Sequence, residues 1–275
     1  MTDLPHRESG EGEPVLLVPG FPFGAHVFRH LAPLLATRFR TIVVEPPTDR
    51  NVADQAEAIR TLLERLGIVR VAVVAHGTGG GVAQVLAFGG ADVDVMVLLD
   101  PVAFDAWPSL PTDPERALDE AHVEELAEGD VDAYLAPWRA DPDAYRRGRD
   151  ALRGDALVGY EDAMASWERP VLLLWGEQDR LVPIDVAERL NDAIPASTLG
   201  LVPESGHLLL DDAFASVGEM IVEYLRARYL RAPHDHGGIT MLQLERRPAW
   251  VDPAPYEEEE PTEVDPAQQE VGPNA

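Results

Sequence analysis

The sequence predicts an α/β fold with a mostly parallel, doubly wound sheet, and three observations carry that expectation. Short apolar runs recur along the chain, each closed by turn residues. Apolar and polar positions do not alternate within them, which is the pattern of strands covered on both faces. The stretches between carry apolar residues at helical spacing, and strand alternating with helix gives a parallel sheet clothed by helices. In such sheets ligand chemistry gathers at the carboxyl ends of the strands.

The first run is Val15–Val18, closed by Pro19 and Gly20, and a weaker one follows at Thr41–Val44. Asp54–Leu66 reads as an amphipathic helix, with Ile59, Leu62, Leu63 and Leu66 on one face. Val71–Ala75 runs into His76 and Gly77, and Val95–Leu99 runs into Asp100 and Pro101. The rhythm then breaks. Residues 105–168 are charged, helical in composition and free of strand-like runs, which marks a helical cap or lid inserted between two strands. Its apolar residues Trp107, Leu135, Trp138, Tyr145, Leu157 and Trp167 either line a substrate cavity under the cap or fasten it to the sheet. Val171–Trp175, closed by Gly176, resumes the sheet, followed by a helix over Asp185–Ile194 and a weak strand at Thr198–Val202. The core is therefore residues 1–104 with 169–232, and the cap is 105–168.

Residues 233–275 differ in kind. They hold seven prolines and ten acidic residues against two arginines, too little apolar surface to order a core, so a largely disordered acidic tail is expected. Within it, the apolar stretch Ile239–Leu244 and the following Arg246 to Trp250 form one patch, residues 239–250, that either docks on a protein partner or is merely a sticky segment. His234, Asp235 and His236 offer a weak metal-binding pattern that loop solvation explains better, and no metal is expected.

Composition removes whole classes of function. The 275 residues contain no cysteine, so thiol nucleophiles, disulfides and cysteine-bound zinc are excluded. All 22 basic residues are arginine, set against 49 acidic ones, and the net charge of -27 argues against nucleic acid and anionic membranes as partners. Met1 to Pro14 is polar and acidic without an apolar leader segment, and no run approaches membrane-spanning length, so the expected location is the cytoplasm.

The most informative segment is Val71-Ala-Val-Val-Ala-His-Gly-Thr-Gly-Gly-Gly-Val-Ala-Gln-Val-Leu86, a buried strand that enters a glycine-rich turn and then a helix. That is the context of the G-x-S-x-G nucleophile elbow, here Ala75-His76-Gly77-Thr78-Gly79. The small residues two before and two after the centre are present, but the centre is Gly77, which offers no side chain for an acyl intermediate.

From about Leu4 to Tyr229 the chain resembles the α/β-hydrolase superfamily, on four motifs in register. Pro14-Val-Leu-Leu-Val-Pro-Gly-Phe-Pro22 is similar to that family's oxyanion loop, with Pro19 in place of the usual histidine. The elbow is the second motif. The third, Val171-Leu-Leu-Leu-Trp-Gly-Glu-Gln-Asp-Arg-Leu-Val-Pro183, and the fourth, Ser205-Gly-His-Leu-Leu-Leu-Asp-Asp212, resemble the family's acid and histidine loops. The resemblance implies the backbone N–H groups of Phe21 and Thr78 as oxyanion donors, Asp179 as the acid and His207 as the base, in the family's chain order. Only about 13 residues precede Pro14, where the family has two strands, so a sheet shortened at that edge is expected.

Each residue also has a plainer role: a turn cap for Asp179, a surface loop for His207, and a strand-end cap or alternative acid for Asp100. His76 is a further auxiliary candidate beside the elbow. Three readings stay open. The first is cofactor-free chemistry by a His207-Asp179 dyad on a small apolar ligand beneath the cap, acting on water or an acidic proton. The second is a catalytically silent module that binds a ligand or a protein, for which glycine at a strained turn is the residue that stability alone favours. The third is a hydroxyl nucleophile at Thr78, although an elbow turns that side chain away from the base.

Overall fold

The computed structural model of the chain describes residues 4–152 and 156–230. The tail patch at 239–250 and His234, Asp235 and His236 lie outside the described residues.

Seven strands form one sheet: β1 (His6–Ser9), β2 (Pro14–Val18), β3 (Arg40–Val44), β4 (Arg70–His76), β5 (Asp92–Leu99), β6 (Val171–Gly176) and β7 (Ser197–Val202), in the order β1-β3-β2-β4-β5-β6-β7. All neighbours are parallel except β1, which runs antiparallel to β3 with His6 opposite Val44 and Ser9 opposite Thr41. All six runs expected from the sequence are strands. In β2, β4 and β6 nearly every residue is buried, which is why their sequences do not alternate. β1 went unread because its residues, His-Arg-Glu-Ser, are polar and mostly exposed at the sheet edge. Among the described residues one strand, β1, precedes β2.

Helices α1 (Leu31–Ala36), α2 (Val52–Arg65) and α3 (Thr78–Phe88) belong to the first half of the core. The Asn51 side chain caps α2 by accepting the Asp54 N–H, and the helix buries Val52, Ala56, Ile59, Leu62 and Leu63 against α3. α3 starts directly beneath the strand ends. A Cβ on Gly79 would fall on the carbonyl oxygens of Val18 and Pro19, so glycine there lets α3 sit against the end of β2.

Between β5 and β6 the chain forms α4 (Pro114–Asp119), α5 (Glu128–Ala140), α6 (Pro142–Ala151) and α7 (Glu161–Ala165), with no strand in the described part of the insertion. Asp113 and Asp141 cap α4 and α6, each followed by a proline in the first turn. Three of the six apolar residues expected to line a cavity or fasten the cap show both roles. Leu157 packs on α3 near Gly81, and Trp167 meets Phe88 edge-on, so both are fasteners. Trp138 borders a cavity next to the strand ends. After β6 come α8 (Asp185–Ala193), β7, the short α9 (Leu209–Asp212) and α10 (Phe214–Arg228), which packs against α1.

Candidate active site

The turn after β4 is fixed from several sides. Gly77 adopts φ 54° and ψ -122°, a conformation costly for any residue with a Cβ. Its N–H donates to Leu99 O at the end of β5, and its own carbonyl accepts the N–H groups of Gly80 and Val102. A Cβ on Gly20 would lie 2.6 Å from His76 O and 2.9 Å from Thr78 N, so the loop after β2 and the turn after β4 touch backbone to backbone. The segments carrying Phe21, His76, Gly77 and Thr78 are thereby locked together.

His207 arrives from the loop before α9, where the Asp212 carboxylate accepts the Gly206 N–H at 2.7 Å. Its Nδ1 lies 2.8 Å from Asp179 Oδ2. A carboxylate only accepts, so Nδ1 carries the proton and Nε2 presents its lone pair. The other oxygen, Asp179 Oδ1, accepts the N–H groups of Leu181 and Val182 at 2.7 and 3.1 Å. Both side chains are 2% exposed or less. A Cβ on Gly77 would lie 2.8 Å from His207 Nε2, so the imidazole stands directly over the glycine.

Two further titratable groups support this pair from within the core. His76 donates from Nε2 to the His207 carbonyl at 2.9 Å, while its Nδ1 has no partner among the described residues. Complete burial, reinforced by the neighbouring His207, lowers its pKa to about 3, so it stays neutral. Asp100, at the end of β5 with φ 44°, accepts the Gly176 N–H at 2.8 Å through Oδ1 and leaves Oδ2 without a partner of its own. Burial first, and then the charge of Asp179, push its carboxyl well above the ordinary carboxylate range. Both causes favour the neutral carboxyl of Asp100 beside Asp179. One ligand atom from each of Asp100, Asp179 and His207 lies within 4.8 Å of the others, the spacing of a metal set as well. Within it His207 Nδ1 donates to Asp179, while Asp100 Oδ2 stands beside the pair without a hydrogen-bond partner among the described residues.

Thr78 differs from the expectation of two free backbone donors. Its Oγ1 accepts the Phe21 N–H at 2.8 Å, so that donor is engaged and the hydroxyl is turned towards the loop after β2. Phe23 packs on both His76 and His207, with ring centroids 5.9 Å apart in each case. Phe21 meets Trp138 and Tyr145 of the cap, and Trp138 Nε1 donates to Pro22 O. A polar clasp adds to this: Arg29 pairs with Asp130 and Asp211, and the Tyr134 hydroxyl donates to Asp211 at 2.8 Å, four residues beyond His207.

A cavity of about 310 Å³ lies between this loop and the cap helices, bordered by Phe21, Phe23, Glu45, Gln55, Tyr134 and Trp138. A more open groove of about 560 Å³ shares Glu45 and runs along α2 past Arg50. The structure thus brings together all seven residues singled out from the sequence: Phe21, His76, Gly77, Thr78, Asp100, Asp179 and His207. Phe23, Glu45 and Tyr134 were missed, because a phenylalanine in a loop, an acid after a strand and a tyrosine in a helix carry no motif.

Comparison with known proteins agrees with the fold. A model described as the alpha/beta hydrolase family matches residues 15–219. The uncharacterized hydrolase YugF of Bacillus subtilis (strain 168) is 22% identical over 254 residues, covering 80% of this chain and 93% of that protein. The 2-hydroxy-6-oxo-6-phenylhexa-2,4-dienoate hydrolase of Comamonas testosteroni is 23% identical, covering 81% and 91%. Among solved structures, an alpha/beta hydrolase fold protein from Burkholderia ambifaria superposes with a TM-score of 0.73 at 28% identity, covering 80% of this chain and 93% of that one.

Proposed function

The chain belongs to the alpha/beta hydrolase family, and on that premise we propose that it carries out cofactor-free general-base chemistry on a small, largely apolar substrate. His207 is the base and Asp179 the group that orients it. The observation that carries this reading is the 2.8 Å contact from His207 Nδ1 to Asp179 Oδ2, which leaves the Nε2 lone pair above Gly77. Gly77 occupies the nucleophile position and has no side chain, so no ester forms there. His207 Nε2 takes a proton from water or from an acidic position of the substrate, and Asp179 stabilises the imidazolium. A substrate oxygen that displaces the Thr78 hydroxyl from the Phe21 N–H gains that donor together with the Thr78 N–H.

Relatives named as dienoate hydrolases act on carboxylates. Here the cavity carries Glu45 and, among the described residues that border it, no cationic side chain, so a carboxylate substrate is disfavoured. A second reading, a catalytically silent ligand-binding or protein-interaction module, draws support from the engaged Phe21 N–H and from Phe23 lying against His207.

Turnover of p-nitrophenyl acetate separates the two. The native chain is expected to exceed the buffer rate, and His207→Ala to lower that excess about 100-fold, within the usual contribution of a positioned base. Equal rates for the native chain and His207→Ala would sink the dyad in favour of the silent module.

A further inference from the structure

We propose that the cavity between the loop after β2 and the cap is a binding site for a small organic cation, a quaternary or protonated amine, with Glu45 as its counter-ion. Phe23, Tyr134 and Trp138 supply an aromatic wall. At about 310 Å³ the cavity is of a size that takes small ligands.

Charge and hydrogen-bonding capacity both favour that class. Glu45 is half-buried and forms no ion pair or side-chain hydrogen bond with another described residue. Its Oε2 lies 3.9 Å from the position a Cβ on Gly24 would take, against the loop that forms one wall. Donors around the cavity are largely turned elsewhere. Trp138 Nε1 donates to Pro22 O, the Tyr134 hydroxyl to Asp211, Gln55 Nε2 to Arg50 O and the Phe21 N–H to Thr78. The Tyr134 oxygen also accepts from Arg29, so what remains is the Glu45 carboxylate, the Gln55 carbonyl and the Thr48 hydroxyl, two acceptors and one group that can act either way. A carboxylate or phosphate would meet few donors and one like charge, whereas a cation meets a carboxylate among aromatic side chains. The net charge of -27 draws cations to the surface in the same sense. On its other side Phe23 touches His207, so a bound molecule lies one ring away from the dyad.

The proposal names the ligand class of the site assigned above and rests on that function for its catalytic meaning, while binding is measured apart from turnover. Choline and its neutral, shape-matched analogue 3,3-dimethylbutan-1-ol serve as probes, titrated into the full chain by calorimetry with intrinsic tryptophan fluorescence as a second readout. Choline is expected to bind about tenfold more tightly than the alcohol, and Glu45→Gln to remove about tenfold of its affinity while leaving the alcohol unchanged. His207→Ala should bind choline like the native chain. Equal affinity for the two probes, no choline binding at millimolar concentration, or unaltered choline affinity in Glu45→Gln overturns the cation site. The native-chain comparison needs no variant, so a folding defect in Glu45→Gln cannot mask the answer. Loss of turnover in His207→Ala without any preference for choline refutes the cation site alone; a choline preference with unchanged turnover refutes the dyad alone.

Discussion

Replacing Gly77 by serine and Thr78 by valine together is expected to raise p-nitrophenyl acetate turnover on the order of 10³-fold above the native chain, with most of the gain depending on the second change. A serine Cβ would stand 2.8 Å from His207 Nε2, so the ring must retreat by a few tenths of an ångström, after which the hydroxyl faces an imidazole already held by Asp179. Attack on an ester places negative charge on the carbonyl oxygen. In the chain as it stands, one backbone donor for that charge, the Phe21 N–H, is bonded to Thr78 Oγ1. Valine keeps the shape of threonine and removes the acceptor, freeing the N–H. Since losing one such donor typically costs about 10² to 10³ in rate, Gly77→Ser alone should lag the double variant by about that factor. A stopped-flow burst of p-nitrophenol reports the acyl step. Equal rates for the single and double variants would show that the Thr78 hydroxyl does not block the site. Both variants should also lose about 1 to 3 kcal/mol of unfolding free energy in urea, because a side chain is forced to φ 54° and ψ -122°.

His76→Gln and Asp100→Asn are expected to change the pH dependence of stability in opposite senses. His76 has its pKa lowered from 6.5 to about 3 on folding, so between those values the unfolded chain binds the proton that the native chain refuses. Stability is therefore lost as pH falls from 6.5 towards 3, by about 1.4 kcal/mol per pH unit and on the order of 5 kcal/mol in all. Asp100 is raised on folding, so the native chain keeps a proton that the unfolded chain releases above 3.8. Its contribution is fully present below that value and is lost as pH rises, with a similar slope per unit. As pH rises above 3.8 the two slopes oppose each other. Glutamine keeps the donor to the His207 carbonyl without titrating, and an asparagine in place of Asp100 can accept from Gly176 and donate to Asp179 without a proton to lose. Relative to the native chain, His76→Gln should thus gain stability progressively below about pH 6.5, and Asp100→Asn progressively above about pH 4. Urea unfolding at about pH 4.5, 5.5 and 7 measures both. A pH-independent difference for either variant would mean that its group titrates alike in the folded and unfolded chains.

The parts of the molecule that were legible in the sequence are those where local chemistry and global position agree. Val71–Ala75 could only be a strand covered on both faces, because five small or branched apolar residues lead straight into a glycine-rich turn. His207 and Asp179 were readable because each sits in a loop whose glycines and prolines fix a turn. β1 was not, since an exposed edge strand is stabilised by pairing with β3 and not by burying its own side chains. Glu45 was not, since what distinguishes it is the company of three aromatic residues from distant parts of the chain.

By itself the sequence determined the succession of strands and helices along the chain, the absence of thiol chemistry, the acidic surface, and the identity of the seven residues around the turn after β4. These are set by residue type and short-range spacing. Only the tertiary structure decided that the Thr78 hydroxyl occupies the Phe21 N–H, that His207 stands over Gly77, and that burial beside Asp179 pushes the Asp100 carboxyl up. Each of those depends on which groups from separate strands are brought within hydrogen-bonding distance and shut away from water, and burial of that kind is a property of the packed sheet rather than of any segment within it.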